Sequence, residues 1–335
     1  MGLACHNPAV AAGVHLEPEA GPRRPLGAWR VRRGAAPPHE AVDLADAERD
    51  SNRSPARDKA LVSLPQDLRA HLPGVEPERR LTDWGRSERV EGFVDRMLAD
   101  FLYHLWFRCT VEGVENVPSS GGALLVANHS GALPPDAAMI AKAIREEHAH
   151  PRPLHITVEH FNGFPGVSML LPKLGCVAAH PANVQRLLYD EEALVLMFPE
   201  GRSGTRKLFT NRYRLRRFGR GDFVVSALRA GVPIVPTCVV GAEEAAPTFA
   251  HVHLLRRLTG LLYLPFTPTF PHLGPLGVTA YLPAKFRIRF LEPVELGAGL
   301  DERGAVQTAT EEVRARVQEN LFEMVGERKS VWLDA

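Results

Sequence analysis

The chain carries almost no net charge. Its 40 lysines and arginines face 39 aspartates and glutamates, a formal balance of +1 at pH 7. Bulk charge therefore gives no pull toward nucleic acid or a strongly acidic partner, and the arginine clusters sit in no recognisable nucleic-acid module. Cysteine is equally sparse. Cys5, Cys109, Cys176 and Cys238 are scattered, with neither CxxC spacing nor a small-scaffold framework, so they are expected as reduced thiols in a protein facing a reducing compartment. No uninterrupted apolar run approaches the ~18 residues that a spanning helix needs. The richest stretch, Leu258 to Val278, is broken by Pro265, Pro268, Pro271 and Pro275. A serine hydrolase would place Gly-x-Ser-x-Gly at a strand-to-helix turn. Neither Gly166-Val-Ser-Met-Leu170 nor Gly201-Arg-Ser-Gly204 supplies it. His148, His150, His155 and His160 look superficially like metal ligands, but His155 and His160 miss the HxxEH spacing by one residue. Five residues apart in a strand they face opposite sides, so no metal site is expected.

What is present divides the chain into three. Residues 1–80 are rich in Ala, Pro, Arg and Glu, lack apolar periodicity and are broken by Gly21-Pro-Arg-Arg-Pro25 and Ala35-Ala-Pro-Pro38, so a disordered tail is expected. No secretory signal is expected, because no continuous apolar stretch follows a basic start. Trp29-Arg-Val-Arg-Arg33 reads as part of a solvated tail or as a contact with anionic lipid. Residues 81–110 form the second part. Val90, Phe93, Val94, Met97, Leu98, Phe101, Leu102, Leu105 and Trp106 recur at helical spacing with Ser87 as N-cap, and Arg89, Glu91, Asp95, Arg96 and Asp100 take the other side. This amphipathic helix either packs on the following domain or lays its aromatic end, Phe101 to Phe107, in a membrane interface.

Residues 111–330 alternate strand and helix. Ala123–Ala127, Leu154–Val158, Leu194–Phe198 and Ile234–Val240 are short apolar runs of the kind buried in a parallel sheet. Helical stretches are expected near Pro135–Arg145, Ala182–Leu188 and Asp222–Ala230, a late strand with one exposed face at Phe286–Leu291, and a closing helix at Ala305–Val325. The fold class is α/β: a mainly parallel sheet with helices on both faces, preceded by the amphipathic helix. In such sheets functional groups gather at the carboxyl ends of strands. His129 and Glu200 each lie just past such an end.

Asn128-His129 closes the run Ala123-Leu-Leu-Val-Ala127, and Asp136 follows Pro134-Pro135. With Pro135 starting a helix, Asp136 falls in its first turn, where an anion is favoured. Its carboxylate can accept one ring N–H of His129 and leave the other nitrogen to take a proton from a hydroxyl. Leu194-Val-Leu-Met-Phe198-Pro199-Glu200-Gly201-Arg202-Ser203 follows further along, then Val232-Pro-Ile-Val-Pro236. Together these segments resemble the glycerol-phosphate and lysophospholipid acyltransferase family over roughly residues 111–247. The family's first motif is Asn-His, four variable residues and Asp. Here six residues separate His129 from Asp136, which resembles a longer-loop branch that includes diacylglycerol-acyltransferase-like members.

The resemblance implies a fatty acyl transfer from a thioester, acyl-CoA or acyl carrier protein, to a glycerolipid hydroxyl. His129 and Asp136 would be its catalytic residues. Phe198, Pro199, Glu200, Gly201, Arg202, Arg206 and Pro236 would bind substrate, with Glu200 and Gly201 holding the acceptor's head group and Arg202, Arg206 and Lys207 meeting a phosphate. Where the family often carries an arginine after a glycine-led strand, this chain has His180 in Gly175-Cys-Val-Ala-Ala-His180. No cofactor beyond the acyl co-substrate is implied. The expected partners are membrane lipids, and the expected location is peripheral, at the cytoplasmic face of a membrane. The competing class is a non-catalytic lipid-binding module that keeps the fold.

Overall fold

A computed structural model describes residues 81–130, 135–159, 167–252, 264–270, 272–274, 277, 280–297 and 303–332. The expected tail at 1–80 lies outside the described residues. Seven strands make one sheet: β1 (Thr110–Glu112), β2 (Ala123–Ala127), β3 (Leu154–Val158), β4 (Cys176–Ala178), β5 (Leu194–Met197), β6 (Ile234–Val240) and β9 (Arg287–Phe290), in the order β1-β9-β6-β2-β5-β3-β4. The five strands β2 to β6 are mutually parallel, while β9 runs antiparallel to β6 and parallel to β1. A separate pair, β7 (Ala250–Val252) and β8 (Leu264–Phe266), is antiparallel.

Each central strand is short, apolar and buried along its length, β2 and β6 completely, as a sheet covered on both faces requires. Alternate residues feed two cores. Ala123, Leu125 and Ala127 of β2 pack with α2 (Asp136–Glu147) through Met139, Ile140, Ala143 and Ile144. Leu124 and Val126 pack on the opposite face with Leu187, Phe218, Phe223 and Val224. That second face is covered by α4 (Pro181–Gln185), α6 (Asp222–Ala230) and α8 (Arg303–Glu327). Truncating Leu125 to Ala would cost about 2–5 kcal/mol, since it is wholly buried in the core on the α2 side.

The expected exposed face of the late strand is not exposed. Arg287 and Arg289 are held by Glu112 of β1 and Glu327 of α8, so two neighbouring elements cover them.

The amphipathic helix divides its expected apolar stripe: Val90 and Val94 are half-buried and Leu102 and Trp106 pack on the core, while the rest is exposed. It begins as α1 (Glu88–Val94), with the Ser87 side chain accepting from Val90 N, and continues as two π-helical stretches, Asp95–Ala99 and Phe101–Trp106. Each π turn spends an extra residue and rotates the side chains that follow, so a stripe written at helical spacing no longer faces one way. Phe93, Met97, Leu98, Phe101 and Leu105 point into solvent, the least exposed of them 45% accessible. Arg89 and Arg96 stay exposed, while the three acids reach cations of the neighbouring elements. Glu91 pairs with Arg86 and Arg145, Asp95 with Arg145 and Lys142, and Asp100 with Lys142, which is itself only 3% exposed. The aromatic end divides. Tyr103 and Phe107 enter the core, and Trp106 Nε1 donates to the Tyr281 carbonyl at 3.0 Å. Asp100, His104 and Glu146 bring three potential ligand atoms within 4.8 Å. Lys142 Nζ already binds both carboxylates, so the group is an ion-pair network.

Candidate active site

The end of β2 sets the site. Asn128 is buried, its Nδ2 donates to Val239 O at 3.0 Å and its Oδ1 accepts from Val239 N at 2.8 Å. A side-chain amide thus prolongs the ladder to β6 by one step and fixes the direction in which the chain leaves the sheet. His129 emerges at the carboxyl rim with its side chain 17% exposed.

His129 Nδ1 lies 3.1 Å from Asp136 Oδ2, at the first residue of α2. Asp136 is wholly buried and accepts from Ala137 N at 2.7 Å and Ser130 N at 3.3 Å. These bonds fix the orientation of the Asp136 side chain at the helix N-terminus. A carboxylate there selects the tautomer that carries the proton on Nδ1 and presents the Nε2 lone pair to the cleft. The two extra residues of the loop therefore do not separate the pair. The imidazole plane is set by Phe198, whose ring stacks on it with centroids 4.1 Å apart and planes 20° from parallel.

Glu200 occupies a different place from the one the resemblance implies. It is 4% exposed and turned away from the cleft. Its Oε1 accepts from His129 N at 3.0 Å, its Oε2 accepts from Arg216 N at 2.7 Å, and Lys207 Nζ lies 3.4 Å from Oε1. Lys207, expected at a phosphate, is buried between Glu200 and Glu243, 3.0 Å from Glu243 Oε1. Burial pushes the Glu243 carboxyl above its ordinary range even with that ammonium beside it. Gly204, on α5 (Gly201–Thr205), lets the turn close over this group. A Cβ there would meet Glu200 Cβ at 2.8 Å and His129 Cβ at 3.1 Å.

A cleft of about 1080 Å³ runs over the rim past His129 and reaches both faces of the sheet. One lobe lies between α1, α2 and α3 (Val167–Lys173) and is lined by Val94, Ala99, Ala137, Ala141, Leu171 and Ile156. Glu91, Asp95, Lys142 and Arg145 also line that end, and the other lobe carries His180, Arg202, Arg220, Asp222 and Ser226 beside Val184, Met197, Phe218 and Phe223, so both mix polar and apolar groups. Phe198, Pro199, Gly201 and Arg202 line the cleft as expected residues, and Arg202 Nε donates to Glu159 Oε2 at 3.0 Å. Arg206 is exposed and does not line it. Pro236 is buried inside β6 opposite Val126, facing the α6 side of the sheet, and does not line it either. Its position follows from the strand's own alternation, which puts Val235 and Val239 on the His129 side.

Tyr281 was not visible as a site residue. It lines the cleft, lies within the field of Asp136, and burial raises its phenol above the ordinary range. Burial pushes the Cys109 and Cys176 thiols up to about 12, so these two are no nucleophiles near neutrality. The histidines weighed as ligands do not converge. His148 is spent on the carbonyls of His150 and Val117, and His155 is buried alone in β3; His160 lies outside the described residues.

A histidine oriented by a buried carboxylate, at the rim of a parallel sheet and open to a large cleft, is a site for general-base chemistry on a hydroxyl. The chain belongs to the acyltransferase family, whose model, described as Acyltransferase, matches residues 108–240. An uncharacterized protein of Mycobacterium tuberculosis is 38% identical over 270 residues, which cover 79% of this chain and 74% of that one. A Gallus gallus protein described as a DGAT1/2-independent enzyme synthesizing storage lipids is 27% identical over 57% of this chain and 53% of its own length. The crystal structure of the 1-acyl-sn-glycerophosphate acyltransferase of Thermotoga maritima superimposes with a TM-score of 0.43 at 21% identity, covering 69% of this chain and 78% of that chain.

Proposed function

We propose that this acyltransferase moves a fatty acyl chain from a thioester to a hydroxyl of a glycerolipid, with His129 as general base. The observation that carries the reading is the 3.1 Å contact of His129 Nδ1 with buried Asp136, which leaves Nε2 facing the cleft. The acceptor O–H gives its proton to Nε2 as its oxygen attacks the thioester carbonyl carbon. The tetrahedral intermediate then expels the thiolate, which takes the proton back from the imidazolium. Asp136 holds the ring and stabilises its cationic form throughout. No acyl-enzyme forms and no group beyond donor, acceptor and side chains takes part.

The largely apolar lining of the cleft suits an acyl chain, and Arg202 at its wall suits an anionic or hydroxylated head group. Lysophosphatidic acid, other lysophospholipids and neutral mono- or diacylglycerols are the acceptor candidates, the last supported by the similarity to the Gallus gallus enzyme synthesizing storage lipids. Among the described residues no helix is long and apolar enough to cross a membrane. The exposed ridge Phe93, Met97, Phe101 and Leu105 supports a peripheral seat in a membrane interface at the cytoplasmic face.

The test is thiol release from a long-chain acyl-CoA or acyl carrier protein against each acceptor, with His129→Ala beside the wild type. Acceptor-dependent release that falls about 10²- to 10⁴-fold in the variant is the expected result. Acceptor-independent release makes the protein a thioesterase. Lipid binding without release from any donor makes it a lipid-binding module.

A further inference from the structure

The segment between α5 and α6 is held in an unusual way. Tyr213 sits at φ +62°, in the left-handed region, and is buried. Its N–H donates to Glu243, its carbonyl accepts from Gln318 Nε2 at 2.7 Å, and its hydroxyl meets Glu244 and Arg328. Leu215 N donates to Gln318 Oε1 at 2.8 Å and Arg216 N to Glu200 Oε2 at 2.7 Å. Phe218 then plugs the core of the α6 face. Side chains from three separate parts of the fold therefore take the place of a strand partner and hold this loop in one conformation. A left-handed tyrosine costs energy, and it persists because the surrounding bonds over-determine it.

The held loop displays cations. Arg214, Arg216, Arg217 and Arg220 are all exposed, and among the described residues no carboxylate pairs with any of them. Arginines elsewhere in the fold are mostly paired: Arg86, Arg145, Arg287, Arg289 and Arg328 each meet at least one carboxylate. The contrast lies in acceptors rather than in abundance of arginine. Arg220 and Gly219 line the cleft, so the row of charges leads from open surface into the site.

We propose that Arg214, Arg216, Arg217 and Arg220 form a preformed platform for the phosphates of a coenzyme A donor, an inference that rests on the acyl-transfer reading above. Several guanidinium groups in a row match a ligand with several phosphates, and the held backbone that carries them lowers the ordering cost of meeting it. The location separates this ligand from a lipid surface. Phe218 and α6 cover one face of the sheet, whereas the exposed apolar ridge Phe93, Met97, Phe101 and Leu105 lies beyond the other face. A bilayer that meets the ridge leaves the arginines in water. Arg220 at the wall of a concave lobe favours a small anion entering the cleft over the convex acidic surface of a carrier protein.

The experiment titrates full-length protein and Arg217→Ala/Arg220→Ala with free coenzyme A by calorimetry at low and high salt. It then compares acyl-CoA with acyl-pantetheine, which has the same thioester and no phosphate. Expected are salt-sensitive coenzyme A binding weakened about fivefold or more in the variant, a matching rise in KM for acyl-CoA, and no rise in acceptor KM. The wild type's preference for acyl-CoA over acyl-pantetheine should shrink in the variant. Melting temperature serves as the fold control, since both side chains are exposed. Equal coenzyme A binding by the two proteins overturns the proposal. So does a loss that falls instead on binding to phosphatidylglycerol vesicles, or transfer from acyl carrier protein alone. A wild type that transfers from no donor sinks the acyl-transfer reading, while the coenzyme A titration still decides the platform.

Discussion

Glu200→Gln separates two jobs for the glutamate of Phe198-Pro-Glu-Gly201. In the structure one oxygen takes the His129 amide at 3.0 Å and the other takes the Arg216 amide at 2.7 Å. A carboxylate has two acceptors for these two donors. Glutamine keeps one acceptor and turns an NH₂ donor toward the remaining amide, so one clamp is lost and a buried N–H is left unpaired. An unpaired buried donor costs about 1–3 kcal/mol. Lys207 keeps only Glu243 at 3.0 Å, and losing part of a buried ion pair adds to that loss. A total of roughly 2–4 kcal/mol lowers the melting temperature by about 4–16 °C. Below the melting range His129 loses its backbone anchor. A displacement of about 1 Å at the base is enough for a kcat loss on the order of 10²-fold. Acceptor KM should change little, because Glu200 does not line the cleft. Steady-state kinetics on folded protein, with thermal denaturation alongside, make the test. A variant of normal stability and kcat with a raised acceptor KM would refute the clamp and restore the head-group role that the family resemblance implies.

Other outcomes follow from the same geometry. Gly204→Ala places a methyl 2.8 Å from Glu200 Cβ and 3.1 Å from His129 Cβ. It should cost about 1–3 kcal/mol and most of the activity; full activity with unchanged denaturant midpoint would contradict the packing described. His155 is held neutral by burial, its pKa lowered to about 4 from the 6.5 of an open chain. The unfolded chain takes up a proton there first, so this contribution is complete above pH 6.5 and is lost as pH falls toward 4. Between pH 7 and pH 5 it amounts to about 2 kcal/mol. His155→Leu should flatten that part of the stability profile in urea titrations, and an unaltered slope would assign the acid sensitivity to other groups. Replacing Phe93, Met97 and Leu105 with Asp should abolish vesicle binding in a flotation assay while the melting temperature stays within a few degrees. Undiminished binding would move the membrane surface away from this ridge.

Chemistry was legible where it is written locally. Asn128-His129 after an apolar run, and Phe198-Pro-Glu-Gly201 after another, declare strand ends by composition. A parallel sheet brings strand ends to one rim whatever the details of packing. The helix starting behind Pro135 placed Asp136 in a first turn, and its carboxylate meets the His129 ring despite the longer loop. Helical periodicity was misleading in the segment after Ser87. It detects that apolar residues share a spacing, not which side the stripe faces, and the π turns at Asp95–Ala99 and Phe101–Trp106 rotated it.

The residues by themselves determined the class of fold, the strand-borne histidine and the apolar segments able to bury a sheet, because each depends on neighbours a few positions apart. Tertiary structure alone decided the use of Glu200, Lys207 and the arginines. A carboxylate reads the same whether it meets a ligand or a backbone amide, and only the approach of Arg216 and His129 from 16 and 71 positions away spends it on the latter. Likewise an arginine on a loop is a free cation or half of an ion pair according to which acids fold against it. For Arg287 such acids arrive, from Glu112 and Glu327. Beside Arg214, Arg217 and Arg220 the fold brings none among the described residues, and it is that distribution of long-range partners which no local pattern contains.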